Sequence, residues 1–527
     1  MLRKLTYLFL FFTFSISSQV TFTDSDLPIV VINTPPGETI NDVTRTFCDM
    51  GIIDNGVGVR NYLTDPFNHY DNKISIEIRG STSQQYPKKN YGFETQDQFG
   101  IKLNYPLLGL PTENDWILYG PYPDKTLARN VLTYNLSRKM GHYASRSRYC
   151  ELIIDGDYKG LYILMERIKV DNDRVNIDKL ETWETLGLPL TGGYIVKVDK
   201  LTGEVGFSWS SNFNNEVLFQ FHDPEFDELV PVQVSYMQNF LSDFENTVNG
   251  PLFDDPIEGY SKYIDAESFY DFCILQELGR TVDGYRSSSF MYKDRDDGFK
   301  NGKLIAGPMW DFNLSYGNAD YCDADLTTGW QYNFDEICDF TTAIPFWWER
   351  LLDAPSYRNG LKCRWEELRS GPLHTDSIHL MIDSIVNLAA EARFRNFQRW
   401  PIIGVYVNWN SFVGQTYEED VQFLKDYIQQ RATWIDQNLP GICDVGVEEK
   451  FDSFEIWPNP AQEKVSVKTI SFIDRYSVHD LSGREIVSHK TNATTSFQID
   501  ISELTAGTYL LSIYSEGQPL TQKFIKK

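Results

Sequence analysis

The sequence is poor in positive charge. Its 527 residues contain 48 lysine and arginine residues against 74 aspartate and glutamate residues, which gives a formal net charge of -26 at pH 7. A protein that neutralises nucleic-acid phosphates needs a basic face, so we expect no nucleic acid among its partners. An acidic surface of this kind mainly provides solubility. The length predicts two or three domains with a large core.

Cysteine is also scarce, and its spacing lacks metal-binding patterns. The seven cysteines form no Cys-x-x-Cys pair and no cluster with histidine, so a structural zinc site is not expected. Cys322 and Cys338 bracket an acidic, aromatic loop and are predicted to form a disulfide. Cys273 lies in an apolar helical pattern and is predicted to be a buried free thiol. Four further cysteines could form two more bridges in any pairing: Cys48, Cys150, Cys363 and Cys443.

No apolar run long enough for a membrane helix follows the first residues. Arg3 and Lys4 precede a mostly apolar run at residues 5–16, and Ser17-Ser18 offers the small residues of a cleavage site. The run itself is too short to span a membrane. We therefore predict a signal peptide over residues 1–18, export through the Sec pathway and the periplasm, and a mature protein without a transmembrane segment.

An acid between aromatic residues stands at the centre of the chain. The apolar run 304–306 is typical of a short buried strand, and Asp311 follows between Trp310 and Phe312. Because Mg²⁺ and Ca²⁺ prefer oxygen ligands, we interpret Asp311 as a candidate metal ligand. The alternative is a turn aspartate that caps a helix beginning near Asn313.

A second acid lies in a turn after a predicted helix. Asp265 is the predicted cap of a helix over residues 266–278. Asp283 follows in a turn before the strand 290–292. This strand is predicted to be one arm of a hairpin whose other arm leads to Asp311. The alternative is that Asp283 belongs to an ordinary Asp-Gly turn.

A small polar loop with two nearby lysines follows the alternating strand 74–79. The backbone of Gly80-Ser81-Thr82-Ser83 could approach a phosphate. Lys88 and Lys89 could then balance the phosphate charge. The alternative is that both lysines are solvated at the edge of a loop.

The order of predicted elements indicates an α+β protein. The first 200 residues predict a mostly antiparallel sheet with one long helix over residues 125–140. Beyond about Pro251 the patterns become helical, and from about Asp444 short alternating strands predict a small β-sandwich. A β-rich lobe, an acidic hairpin and a helical lobe form the layout of a two-lobed nucleotide-using enzyme. The later helices are predicted over residues 345–352, 357–368, 377–397 and 417–439.

Five motifs, in order, resemble the spore coat protein H (CotH) kinase family. They are Arg79-Gly80-Ser81-Thr82-Ser83 with Pro87-Lys88-Lys89, then residues 125–130, residues 160–166, Val282-Asp283-Gly284-Tyr285-Arg286, and residues 310–318. The resemblance implies an atypical, protein-kinase-like two-lobed fold over residues 19–443. Its β-rich N-lobe would span about 19–250 and its helical C-lobe about 251–443.

The resemblance also implies transfer of the γ-phosphoryl group of ATP to Ser or Thr of secreted or surface proteins, with Mg²⁺ or Mn²⁺. Carried over by position, Asp311 would bind the metal, and Asn313 would be a neutral second ligand. Asp283 would be the catalytic base or another metal ligand. The implied cofactor-binding residues are Arg79, Ser81, Lys88, Lys89, Glu166 and Arg286.

Two departures from the family pattern bear on this interpretation. Many members have an acid where this chain has Asn313, so its metal affinity would differ. The helix after the lysines offers Arg129 and no glutamate, so Glu166 is the predicted substitute in a lysine–glutamate pair. The alternative function is a non-catalytic surface or matrix protein that keeps the fold as a binding scaffold.

The end of the chain, from Ile456, resembles the type IX secretion sorting domain (type A). Three motifs carry the resemblance: Trp457-Pro458-Asn459-Pro460, Asp480-Leu481-Ser482-Gly483-Arg484 and residues 504–509. The resemblance implies that residues 444–527 are read by secretion machinery in the outer membrane. The protein would then be secreted or held at the cell surface.

Overall fold

The chain divides into two compact units, one that ends at Cys443 and one that begins at Asp444. The predicted signal peptide lies outside the residues that the structure describes. No helix in the described part is long and apolar enough to cross a membrane. In the computed structural model, the described residues are 20–201, 207–297, 302–338, 342–443, 454–480, 484–515 and 518–527.

The first unit begins with nine strands, seven of which close into a barrel. These strands are β1 (Asp24–Ser25), β2 (Ile29–Asn33), β3 (Thr46–Ile53), β4 (Asn61–Tyr62), β5 (Tyr70–Arg79), β6 (Asn90–Gln96), β7 (Asp115–Tyr119), β8 (Ser147–Ile154) and β9 (Asp157–Glu166). Seven of them pair in the order β2-β3-β5-β6-β7-β9-β8, and the parallel pairing of β2 with β8 closes the barrel. The alternating residues Ile74 and Ile76 of β5 are buried inside it. The predicted antiparallel pairing is confirmed, whereas the closure was not predicted.

A second sheet follows the barrel. Its strands are β10 (Tyr194–Val198), β11 (Ser208–Ser210), β12 (Leu218–Asp223), β13 (Ser289–Lys293) and β14 (Leu304–Ala306). They pair in the order β11-β12-β10-β13-β14, and the hairpin of β13 with β14 confirms the prediction that one arm leads to Asp311. Because β10 pairs with β13, this sheet joins residues on both sides of the predicted lobe boundary near residue 250. The α+β class is confirmed, and a kinase-like two-lobed arrangement stays a prediction.

Helices surround this sheet and share its apolar core. Asp265 caps α3 by accepting a hydrogen bond from the Ser268 amide at 2.9 Å, as predicted. The prediction of one helix over residues 377–397 is wrong, because two helices form there. The helices are α1 (Arg129–Lys139), α2 (Pro231–Asn249), α3 (Ala266–Gly279), α4 (Phe334–Ile337), α5 (Trp347–Leu352), α6 (Pro355–Arg369), α7 (Thr375–Leu388), α8 (Ala392–Arg399) and α9 (Tyr417–Asn438).

Asp124 delays the start of α1 relative to the prediction. Its carboxylate accepts hydrogen bonds from the amides of Ala128 at 3.1 Å and Arg129 at 2.8 Å. These bonds hold residues 125–128 in a turn, so the helix begins at Arg129 instead of Lys125. Asp124 thus supplies the acceptors that the first helical amides need.

Two disulfides lie in the first unit. The predicted bridge between Cys322 and Cys338 is confirmed, with the Cα atoms 5.3 Å apart. A second bridge joins Cys363 of α6 to Cys443, so one of the two further bridges considered above forms. Cys273 is a buried free thiol as predicted, and two more buried free thiols lie in the barrel core: Cys48 and Cys150.

The second unit is β-rich, as predicted. Its strands are β15 (Glu455–Trp457), β16 (Lys464–His479), β17 (Glu485–Asp500), β18 (Gly507–Ser515) and β19 (Gln518–Lys526). They form one antiparallel sheet, and the arrangement of this unit as a β-sandwich stays a prediction. Because β15 pairs with the first half of β16 and β18 with its second half, the sheet curls around a single core. Leu481, Ser482 and Gly483 of the quoted motif lie outside the described residues.

Candidate active site

Helix α1 holds the loop that carries Asp311. The amide of Phe312 donates to Asn130 Oδ1 at 2.7 Å, and the amide of Asp311 donates to the Tyr134 hydroxyl at 3.3 Å. The Trp310 ring stacks on the Tyr134 ring with centroids 5.8 Å apart. Asp311 has a φ of 64°, which a residue other than glycine adopts only where its surroundings impose it. The contacts with α1 supply that constraint.

The remainder of the loop is a series of turns. Asn313 is partly buried, and its carbonyl accepts from Asn318 Nδ2 at 2.7 Å. The Ser315 carbonyl accepts from Arg129 Nε at 3.1 Å. No helix begins near Asn313, so the alternative interpretation of Asp311 as a helix cap is wrong.

The two acids singled out from the sequence lie close enough to interact. Asp283 sits in a turn after α3, where its carbonyl accepts from the amide of Ser287 at 2.9 Å. The pKa of Asp311 is raised to about 7, chiefly by burial and then by the negative charge of Asp283, with Asp199 acting in the same direction. The arrangement therefore concentrates acidic groups in a partly buried site.

Two cations oppose this negative charge. Lys200 lowers the pKa of Asp311, and Arg79 does so to a smaller extent. Lys200 Nζ lies 3.4 Å from Thr82 Oγ1 in the predicted polar loop, where residues 82–85 form a 3-10 turn. The Arg79 guanidinium lies over the Trp310 ring, 5.8 Å from its centroid. The loop after β5 therefore lies beside the acids. The prediction that its backbone approaches a phosphate requires this position.

Sequence reasoning missed Asp199 and Lys200. Both follow directly after strand β10. Asp311 likewise follows a strand, β14, although a few residues separate them. Charged residues at the end of a buried strand were the signal that located Asp311. The same signal at residues 199 and 200 would have located these two.

The structure does not bring Lys88 to the acids. Its side chain is buried between β9 and α8, where Nζ donates to the Leu161 carbonyl at 2.5 Å and to Asn396 Oδ1 at 2.8 Å. Burial lowers the pKa of Lys88 to about 7, and Glu151 is the carboxylate that opposes this shift. The neighbouring Lys89 donates to the carbonyl of Gln84. Lys88 is thus held by acceptors within the protein, whereas the phosphate contact of Lys89 stays a prediction.

Glu166 also binds other residues of the protein and not Lys88. It is fully buried at the end of β9 and accepts from Arg146 Nε and from the Arg146 amide, both at 2.9 Å. Tyr143 donates a further hydrogen bond at 3.3 Å. The predicted lysine–glutamate pair is therefore corrected to an arginine–glutamate pair, because Arg146 reaches Glu166 across the barrel rim and Lys88 does not.

The other two predicted residues, Arg286 and Ser81, differ in burial. Arg286 is buried, and although burial lowers its pKa, the charge of Asp283 raises it. Arg286 thus neighbours Asp283. Ser81 is exposed at the start of the turn that contains Thr82.

Aromatic side chains that were not predicted complete the wall of the site. Burial raises the pKa of Tyr321, and the charges of Asp283 and Asp311 raise it further, which places Tyr321 beside both acids. The Tyr321 and Trp409 rings have centroids 6.3 Å apart, as have the rings of Trp409 and Tyr86. The three rings thus form one aromatic cluster.

The donor set fits a metal that is bound together with phosphate. The described residues contain no group of three or more His, Cys, Asp or Glu side chains that could hold an ion. Mg²⁺ is commonly bound by one or two carboxylates, with substrate phosphates and water as further ligands. Asp283 and Asp311 supply carboxylates of this kind.

Comparisons with known proteins give two matches. A family model described as CotH kinase protein matches residues 76–435, which is more than half of the chain and includes Asp283 and Asp311. A family model described as secretion system C-terminal sorting domain matches residues 455–527. No curated protein matches the chain.

Proposed function

Because the chain belongs to the CotH kinase protein family, we propose that it is a Ser/Thr protein kinase that transfers the γ-phosphoryl group of ATP to extracellular or surface proteins. The observation that carries this proposal is that Asp311 directly follows Trp310, whose ring lies under the Arg79 guanidinium, and that Asp283 and Lys200 act electrostatically on its carboxyl group. Phosphoryl transfer depends on positioning and on charge stabilisation. Carboxylates for a metal and cations for phosphate oxygens are the groups that it requires.

The C-terminal sorting domain implies secretion or attachment at the cell surface, with the type IX secretion machinery as a partner. The proposed substrates are therefore proteins outside the cell. Export by the Sec pathway to the periplasm would precede recognition of this domain.

Each residue near the acids has a distinct proposed role. Asp311, held by α1, binds Mg²⁺ or Mn²⁺, with Asn313 as a possible neutral ligand. The metal, when bound, neutralises charge on the β- and γ-phosphates. Lys200 and Arg79 attract the phosphate oxygens from the side of the polar loop. Asp283 accepts the proton of the substrate hydroxyl.

A non-catalytic binding scaffold is the second candidate. The observation that favours it is the absence of a lysine–glutamate pair: Glu166 pairs with Arg146, and Lys88 donates to acceptors inside the protein. A scaffold would bind partners without using the acids for transfer.

Substitution of the acids distinguishes the two candidates. Asp311→Asn should abolish transfer and weaken metal-dependent ATP binding. Asp283→Asn should lower transfer by roughly 10²-fold or more and leave ATP binding nearly unchanged. Phosphate incorporation into a Ser-rich protein and calorimetric titration with ATP and Mg²⁺ measure the two effects.

Asp325→Asn is the matched control, because it removes the same charge from an exposed position in the disulfide-closed loop. It should change neither quantity. If wild type and Asp311→Asn label the substrate equally, the kinase proposal fails. If the wild type binds no ATP, the scaffold is favoured.

A further inference from the structure

Lys88, whose side chain is buried between β9 and α8, is in direct contact with a side-chain amide. Lys88 and Asn396 are 2% and 1% exposed, and Lys88 Nζ lies 2.8 Å from Asn396 Oδ1. Because a carbonyl bond is about 1.2 Å long, the amide carbon of Asn396 lies within about 4 Å of Nζ. The stem of Lys88 is closely packed, since a Cβ atom on Gly120 would lie 3.1 Å from Lys88 Cγ. The amine and the amide carbon are thus held near the distance at which they can react.

The amine of Lys88 can act as a nucleophile. Its two hydrogen-bond acceptors are neutral oxygens, the Leu161 carbonyl at 2.5 Å and the Asn396 amide. Burial lowers the pKa of Lys88 to about 7, so at neutral pH a large share of the molecules carries an uncharged amine with a free electron pair. Glu151, which opposes this shift, is itself paired with Arg395.

The amide of Asn396 is arranged to receive this electron pair. Its Oδ1 atom accepts a second hydrogen bond from the backbone amide of Leu161 at 3.3 Å, which stabilises negative charge that develops on the oxygen. Within the described part of the chain, Oδ1 makes both hydrogen bonds of this side chain and Nδ2 makes none. The group that would leave is therefore not held. Both side chains are nearly closed to solvent, so water competes little with the amine for the amide carbon.

We propose that Lys88 and Asn396 form an intramolecular isopeptide bond. The electron pair of Nζ attacks the amide carbon Cγ, and the π electrons of the carbonyl move to Oδ1. A proton passes from Nζ to Nδ2, the carbonyl re-forms, and the Cγ–Nδ2 bond breaks with its electron pair on nitrogen. The products are a secondary amide and ammonia, so the step needs no oxidant, reductant or further reactant. The bond ties the segment before β6 to α8, whichever of the two candidate functions holds.

Peptide mapping of the mature full-length protein tests the proposal. Tryptic peptide 80–89 should be recovered joined to peptide 396–399, because trypsin does not cleave after an acylated lysine. The joined peptide should weigh about 17 Da less than the two separate peptides together, which is the mass of the ammonia lost. The intact mass alone does not decide, because cyclisation of Gln19, the first residue after the predicted signal peptide, also releases ammonia.

Lys88→Met should abolish the joined peptide. Lys89→Met is the matched control and should keep it, because the Lys89 ammonium donates to the Gln84 carbonyl and not to Asn396. A joined peptide in Lys88→Met, or its loss in Lys89→Met, overturns the assignment to Lys88. Recovery of the two peptides only as separate species from the wild type overturns the proposal, and this measurement holds even if Lys88→Met does not fold.

Discussion

The surroundings of one residue, Asp311, make its negative charge unfavourable in the free protein. Burial raises its pKa to about 7, and Asp283 and Asp199 act in the same direction. In the unfolded chain the same carboxyl returns to its ordinary pKa of 3.8. Between these two values the folded protein binds more protons than the unfolded chain. Stability should therefore fall as the pH rises through this window.

Asp311→Asn removes this pH-dependent cost. The free energy of unfolding of the variant, relative to wild type, should increase by roughly 2 to 4 kcal/mol between pH 4.5 and pH 7.5. Denaturant unfolding at both pH values, without metal, measures it. The exposed Asp325→Asn should show no such change. A difference that is constant, or that shrinks as the pH rises, would contradict the assigned surroundings of Asp311.

The cation at the phosphates can be identified by comparing two lysines. Lys200 acts on Asp311, whereas the Lys89 ammonium donates to the Gln84 carbonyl. Lys200→Met should weaken binding of ATP with Mg²⁺ about tenfold, and Lys89→Met should change it less than about twofold. Calorimetric titration of both variants with ATP and Mg²⁺ measures which lysine contributes to ATP affinity. A larger loss from Lys89→Met would restore the assignment made from the sequence.

The sequence allowed prediction of site residues that lie close to a recognisable strand or turn. Asp311 and Asp283 were found because each lies near a strand of one hairpin. Lys88 was assigned to phosphate because nothing nearby in the sequence reveals its acceptor on Asn396, which is 308 positions away. A contact over that distance depends on the completed fold.

Among the elements, helix α8 makes unusually specific contacts with the barrel for its eight residues. Arg395 Nε donates to the buried Glu151 at 2.9 Å, and Arg399 Nε donates to the Tyr158 carbonyl at 2.9 Å. Gly160 of β9 has a φ of 103°, and a Cβ atom there would lie 2.7 Å from Asn396 Oδ1. The close approach of α8 therefore requires glycine at this position.

Helices α7 and α8 are separate, whereas the sequence predicted one helix over residues 377–397. The residues between them include alanines and a glutamate, which favour a continuous helix. Glu391 instead pairs with Arg60 at 2.9 Å and with Arg395 of α8. Periodicity alone does not reveal this ion pair, because Arg60 lies 331 positions before Glu391.

Arg395→Met should destabilise the first unit by about 3 to 5 kcal/mol, because it leaves Glu151 buried without its cationic partner. Adding Glu151→Gln should recover part of the loss. The control is Lys262→Met, which removes an exposed ion pair with Glu258 and should leave the free energy of unfolding nearly unchanged. Denaturant unfolding compares the free energies of unfolding of wild type, Arg395→Met, the double variant with Glu151→Gln, and Lys262→Met. Similar costs for Arg395→Met and Lys262→Met would show that α8 is not held by this pair.

For the whole molecule, the sequence predicted the α+β class and the β-rich C-terminal unit but not the closure of the barrel. Alternation in β5 indicates a strand with a buried face, and that is a local property. Closure depends on parallel pairing of Ile29 with Glu151 and of Val30 with Leu152. The pairing of strands so far apart in the sequence cannot be predicted from the residues of either strand alone.

The division of the chain after Cys443 predicts separable functions. Deletion of residues 444–527 should leave the first unit folded and its ATP binding intact, while the protein stays inside the cell envelope. Cell fractionation locates the truncated protein, and calorimetry compares its ATP affinity with that of the full chain. Its appearance outside the cell would contradict the role of the second unit in export. Unfolding of the truncated protein would contradict the independence of the first.

The bridge between Cys363 and Cys443 also has a mechanical consequence. A machine that pulls on the C-terminal end of the chain applies tension to the first unit at Cys443. The covalent link passes that tension directly to Cys363 in α6, so residues 364–442 form a closed loop that remains slack. Helices α7, α8 and α9 lie within this loop. Force applied to the C-terminal end would therefore leave the contacts of α8 with the barrel intact. Without the disulfide, the same force would detach α9, α8 and α7 one after another.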